Sequence, residues 1–173
     1  EIDRQLAAFT AATGRPPAFV DGHQHVHQLP GIREALLERL AGTGAYVRLC
    51  AEPTARIVRR GVAVPKALLI ARLGTGLRHR ARRLGIPHNR GFSGIYDLSG
   101  REPFGPLMER FLTGLPRGGL VMCHPGFPDA ELAAVDRVTT PRKAEHAYLA
   151  GPGFADLLAR RHLRLARLAD CGP

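Results

Sequence analysis

The stretch Ala18-Phe19-Val20-Asp21-Gly22-His23-Gln24-His25-Val26-His27 decides how this chain is read. A short β-prone run, Ala18 to Asp21, leads into three histidines, and Leu29-Pro30 then turns the backbone. The cluster is therefore expected at the C-terminal end of a strand. Beyond it, Ile32, Leu36, Leu37 and Leu40 fall on one helical face, with Pro30 near the first turn and Gly42 and Gly44 after the last.

Working outward, Ile2, Leu6 and Phe9 recur at helical spacing, and Gly14 followed by Pro16-Pro17 stops that helix. Tyr46 to Cys50 reads as the next strand. Val64 to Leu84 predicts one long helix or two, because Gly74 and Gly76 weaken its middle. Asn89 to Gly100 reads as loop, and Phe104 to Leu115 as an amphipathic helix. Leu120 to Cys123 is an apolar strand that delivers His124-Pro125-Gly126-Phe127 to a second loop. Pro141 to Ala150 and Gly153 to Arg161 read as helices, and Leu163 to Leu168 alternates like a final strand.

Strands separated by helices imply an α/β fold of right-handed βαβ units with parallel strands. Such folds build their sites from polar residues placed just after strands. The two histidine loops then share one rim.

If His23, His25 and His27 alternate on a strand extension, they point to one face with roughly 7 Å between successive Cα atoms, twice the rise per residue. Neighbouring imidazoles of that kind can share a divalent metal, with Asp21 as ligand or orienting partner. For a lone histidine, packing is the better explanation; three within five residues after a strand favour a site. His124, ahead of a Pro-Gly turn, is placed to protonate a leaving amine, although from spacing alone a capping role is equally good. Arg48 lies in a buried strand, where an unpaired guanidinium is costly, so it is expected to pair with an acid or bind substrate. Arg142 and Glu145, three apart on a helix start, read as a surface pair.

Composition narrows the classes. With 45% apolar residues in 173, one substantial core is affordable. The longest apolar stretches are interrupted by Lys66 and Arg72 and fall short of the roughly 20 residues of a membrane span. Cys50, Cys123 and Cys171 are an odd, scattered set that suits a reducing cytoplasm better than a disulfide framework. The net charge of +10 and the run Arg78-His79-Arg80-Ala81-Arg82-Arg83 raise nucleic acid or an anionic surface as a partner. Aromatic residues are only 6%, and no nucleic-acid motif accompanies the arginines, so nucleic acid is the disfavoured partner.

Asp21-Gly22-His23-Gln24-His25-Val26-His27 and Cys123-His124-Pro125-Gly126-Phe127 together resemble the paired signatures of the YdjC-like carbohydrate deacetylases, which include chitooligosaccharide and hopanoid-biosynthesis deacetylases. Val47-Arg48, Gly91-Phe92-Ser93-Gly94, and Arg142 with Glu145 fall in matching order, so the likeness covers nearly the whole chain.

The resemblance implies a TIM-like (β/α) barrel, a divalent magnesium or zinc ion, and hydrolysis of the C–N amide bond of an N-acetylated sugar or oligosaccharide. It implies metal ligation by His23 and His27, substrate contacts from His25, Arg48 and Phe127, and proton donation by His124. Members of this family begin with a strand bearing an Asp-Asp pair and add a later metal histidine, neither of which is recognisable here. Residues 1–173 are therefore expected to be a single but incomplete domain, whose open sheet edges would favour homo-oligomerisation. The competing readings are a non-catalytic family member and a basic anion-binding module.

Overall fold

A computed structural model describes residues 1–136 and 138–171; the side chain of Cys171, counted above, lies outside the described set. Helix α1 (Ile2–Thr13) ends at Gly14, whose left-handed backbone (φ 72°) lets its N–H reach the Thr10 carbonyl. None of its residues is buried. Ile2 packs on the core, and an ion pair from Asp3 to Arg39 (2.7 Å) ties α1 to α2 (Ile32–Leu40).

Strand β1 (Phe19–Val20) pairs in parallel with β2 (Tyr46–Val47), and β3 (Gly91–Ser93) with β4 (Gly119–Val121). One backbone bridge, Val47 with His88, links the two pairs. The Asn89 carboxamide fills the gap beside it: Oδ1 accepts from the Leu49 N–H (2.7 Å), and Nδ2 donates to the carbonyls of Leu49 and Gly91 (both 2.8 Å). A buried amide thus satisfies backbone groups the ladder leaves unpaired. All the pairings are parallel, so the chain leaves every strand on the same side. The result is an α/β arrangement of small parallel sheets; the described strands do not close a barrel.

Three apolar clusters sit behind the strands. The first joins Leu36, Leu37 and Leu40 of α2 to Val47, Leu49, Leu77 and Ala81. The second sets Ile57 of α3 (Thr54–Arg60) and Ile70 of α4 (Val64–Arg83) against Cys50, Phe92 and Ile95. The third gathers Tyr96 with Phe104, Met108 and Phe111 of α5 (Phe104–Phe111). Tyr148 of α7 (Thr140–Ala150) and Leu157 of α8 (Pro152–Arg160) complete that cluster.

Helix α4 is one 20-residue helix, uninterrupted at its glycines. Gly74 lies where α4 crosses the chain after β2: a Cβ there would stand 2.5 Å from Gln28 Oε1 and 2.7 Å from the Ala51 nitrogen. The residue that weakens helix propensity is the one that permits the crossing.

The structure corrects three expectations. Residues 89–100 are not all loop: they contain β3, and Gly91 to Tyr96 are buried. Leu163 to Leu168 form no strand; Leu165 is 76% exposed, so the alternation there reflects no buried face. Short helices α3 and α6 (Ala130–Val135) occupy stretches for which no element is expected. Among the described residues, no helix is long and apolar enough to cross a membrane.

Candidate active site

After β1 the chain does not continue as a strand. His23–Gln28 form a 3-10 helix interrupted by left-handed residues, Gln24 (φ 48°) and His25 (φ 65°). Such conformations cost on the order of 1–3 kcal/mol each and persist only where the surroundings impose them. Asp21 starts the turn by accepting its neighbour's Gly22 N–H (2.6 Å). Gly22 makes room for it, since a Cβ there would stand 2.6 Å from His27 Nδ1. The far end is pinned where His27 Nε2 meets the Arg48 carbonyl (2.9 Å) and Gln28 Oε1 accepts the Cys50 N–H (3.1 Å). The expectation that all three imidazoles share one strand face is therefore overturned: His23 is exposed, His25 half-buried and His27 buried.

Arg48, 4% exposed, organises this turn. As expected it finds an acid: Nη2 donates to Asp21 Oδ1. Nη1 lies 3.1 Å from His25 Nδ1 and 2.5 Å from Cys50 Sγ, and the guanidinium sits 5.2 Å from the centre of the Phe92 ring. Arginine only donates, so His25 Nδ1 is the acceptor. Burial first, and the Arg48 charge second, push the His25 imidazole down to about 4, keeping it neutral near pH 7. Burial likewise pushes the Cys50 thiol up to about 12, so it remains protonated.

At the end of β4, His124 is held from α7. The buried Glu145 carboxylate accepts the His124 backbone N–H through Oε2 and the Tyr96 hydroxyl through Oε1. Oε1 also lies 3.7 Å from His124 Nδ1. Burial pushes the Glu145 carboxyl up, but the groups of His124 and Tyr96 outweigh it and hold the carboxyl below its ordinary value. The expected Arg142–Glu145 surface pair does not exist, because Arg142 pairs with Asp136 (2.6 Å) while Glu145 faces inward. Phe127 is 74% exposed, with its ring 4.3 Å from that of His146.

The two motifs are neighbours. Phe92 of β3 carries the His25 ring edge-on (6.3 Å), and the Met122 N–H donates to the Ser93 carbonyl (2.9 Å) two residues before His124. Gly94 (φ 99°) allows this approach, since a Cβ there would meet the Met122 backbone oxygen at 2.2 Å. Asp136 is held below the ordinary carboxylate range by the Val138 N–H and Arg142, with a further contribution from the charge of His23.

A zinc site brings three or more protein donors together. Among the described residues no three His, Cys, Asp or Glu side chains converge in that way. His27 spends Nε2 on the Arg48 carbonyl, and its buried Nδ1 makes no full hydrogen bond and lies 3.8 Å from the Arg48-bound Asp21 carboxylate. These residues alone do not make a metal site.

Comparison with known proteins gives this geometry a context. The YdjC-like protein family matches residues 1–160. The chain belongs to this family. Chitooligosaccharide deacetylases of Yersinia pestis (strain Pestoides F) and Yersinia pseudotuberculosis (serotype O:1b, strain IP 31758) are each 33% identical over 172 residues. That alignment takes in 99% of this chain and 59% of each relative, so the chain spans under two thirds of their length. No solved structure matches.

Within this YdjC-like chain, sequence reasoning took Glu145 for half of a surface pair with Arg142 and passed over Tyr96. One signal was legible for the first: Pro141, Glu145 and Tyr148 share a helical stripe whose other members turn inward. Tyr96 carried no such signal, because it follows β3 in a stretch that reads as loop.

Proposed function

We propose that the protein takes part in hydrolytic deacetylation of an N-acetylated amino sugar or oligosaccharide. The observation that carries this reading is that both signature motifs leave parallel strands on one side of the fold, with His124 clamped by a buried carboxylate. Membership of the YdjC-like family and the similarity to proteins named chitooligosaccharide deacetylase support it.

Hydrolysis adds water across the C–N bond, leaving acetate and a free amine. His124 supplies the proton that the departing amine needs; its side chain is still 25% exposed although Nδ1, which faces Glu145, is buried. The Arg48, Asp21 and His25 network builds a rigid polar wall, and Phe127 offers an exposed apolar face for a sugar ring. A magnesium or zinc ion belongs to this reading: His23 would offer it one ligand, His27 would do so only on releasing the Arg48 carbonyl, and further donors beyond these two side chains would be required. A TIM-like barrel, a cytoplasmic setting and self-association through exposed Leu69, Val135 and Leu165 complete the proposal. Acetate release from N-acetylglucosamine oligomers, together with bound-metal content, tests it; both should fall in His23→Ala, and release unchanged in that variant contradicts the assignment.

A second reading, binding of a polyanion, has its own observation. Arg15, Arg56, Arg78, Arg82, Arg90 and Arg167 line one groove where the segments entering the strands meet, at the end away from His124. Only part of the basic run faces it, since Arg80 pairs with Glu34 (3.0 Å). Binding of inorganic polyphosphate that weakens steeply with salt and drops in Arg78→Ala/Arg82→Ala supports this reading; salt-independent binding removes it.

A further inference from the structure

Glu145 is completely buried, yet it carries a charge whose removal from water is costly unless every lone pair is used. Two of its contacts are full hydrogen bonds, to the His124 backbone N–H and the Tyr96 hydroxyl. The third approach is to His124 Nδ1, at 3.7 Å. That nitrogen is itself buried and has no hydrogen-bond partner. The open edge of the ring is therefore the one bearing Nε2.

We infer that Glu145 is the positioning residue of His124. Its carboxylate fixes the backbone of the histidine, holds the proton on Nδ1, and so directs Nε2 towards substrate. Tyr96 braces the carboxylate from the other side: its hydroxyl, with the acidity suppressed by burial and by the Glu145 charge, stays a donor. The arrangement follows from chemistry. A carboxylate can only accept, so the imidazole nitrogen facing it is favoured in its N–H form, and the other nitrogen is left to exchange a proton with the reacting group. Among the described residues Glu145 is the acid paired with the His124 ring, and the nearby Gly126 N–H goes to the Arg142 carbonyl (3.2 Å). Cys123, next in the chain, is pushed up to about 12 by burial and then by the Glu145 charge, so it does not compete as a base.

This inference rests on the deacetylase reading for its purpose but not for its test. Imidazole ¹⁵N NMR of the full chain at pH 9, where an ordinary imidazole is neutral, reads the tautomer without turnover. Wild-type His124 should show a protonated Nδ1 and a bare Nε2, and Glu145→Gln should lose the Nδ1–H signature while retaining the fold by circular dichroism. Tyr96→Phe, which leaves the carboxylate in place, should retain it and serves as the informative variant if Glu145→Gln does not fold. A wild-type His124 in the Nε2–H form overturns the inference, as does an Nδ1–H signature that survives in Glu145→Gln. If the signature behaves as expected but no acetate is released, the reaction assignment fails and the positioning role stands. If acetate is released and the signature does not depend on Glu145, the reverse holds.

Discussion

The Glu145 carboxylate accepts the backbone N–H of His124 across 21 residues of sequence. That contact joins α7 to the end of β4 and sets the angle at which the histidine leaves the sheet. Stability and the candidate chemistry therefore depend on one buried charge.

The first consequence is a pH dependence. The folded Glu145 carboxyl lies below its ordinary value near 4.5, so the unfolded chain binds the proton more readily. The stabilisation is fully present above that value and is lost as pH falls through the folded one. Thermal melts should show Tm dropping below about pH 4.5, with a shallower drop in Glu145→Gln. An equal drop in both proteins would show that other carboxylates carry the acid sensitivity.

The two α4 glycines should respond in opposite ways. A Cβ at Gly74 meets the Ala51 backbone and the Gln28 carboxamide, so Gly74→Ala should cost about 1–3 kcal/mol from overpacking. A Cβ at Gly76 meets only the tip of the Arg33 side chain, which can move, so Gly76→Ala should be neutral or gain up to about 1 kcal/mol of helix propensity. Urea midpoints of the two variants make the comparison, and equal shifts would contradict the account of the crossing.

Much of this architecture was legible because it is written in local pattern. Gly14 marks the end of α1, the stripe Leu36, Leu37 and Leu40 marks α2, and the apolar run before His124 marks β4. The turn at His23 to Gln28 was not, because alternating histidines look like a strand, and only Arg48, Cys50 and the space over Gly22 force the left-handed residues. β3 was hidden for a related reason: Gly91, Ser93 and Gly94 read as loop, while Gly94 is what lets the Met122 backbone approach closely.

A second buried pair lay beyond sequence reasoning. Arg60 and Glu52 (2.8 Å) are both nearly inaccessible; Arg60 also donates to the carbonyls of Thr113 and Phe92, and Glu52 accepts the Phe92 N–H. Glu52→Ala strands the guanidinium and should cost about 3–5 kcal/mol in urea unfolding. A loss below about 1 kcal/mol would mean water reaches the pair and satisfies it.

The most direct test of the central claim is acetate release from N-acetylglucosamine oligomers by the wild-type chain and by His124→Gln under identical metal supply. The account predicts release by the wild type and at least about a hundredfold loss of kcat in the variant, the usual scale for removing a general acid. Equal rates in the two proteins would contradict the role given to His124, and no release by the wild type would contradict the deacetylase reading itself.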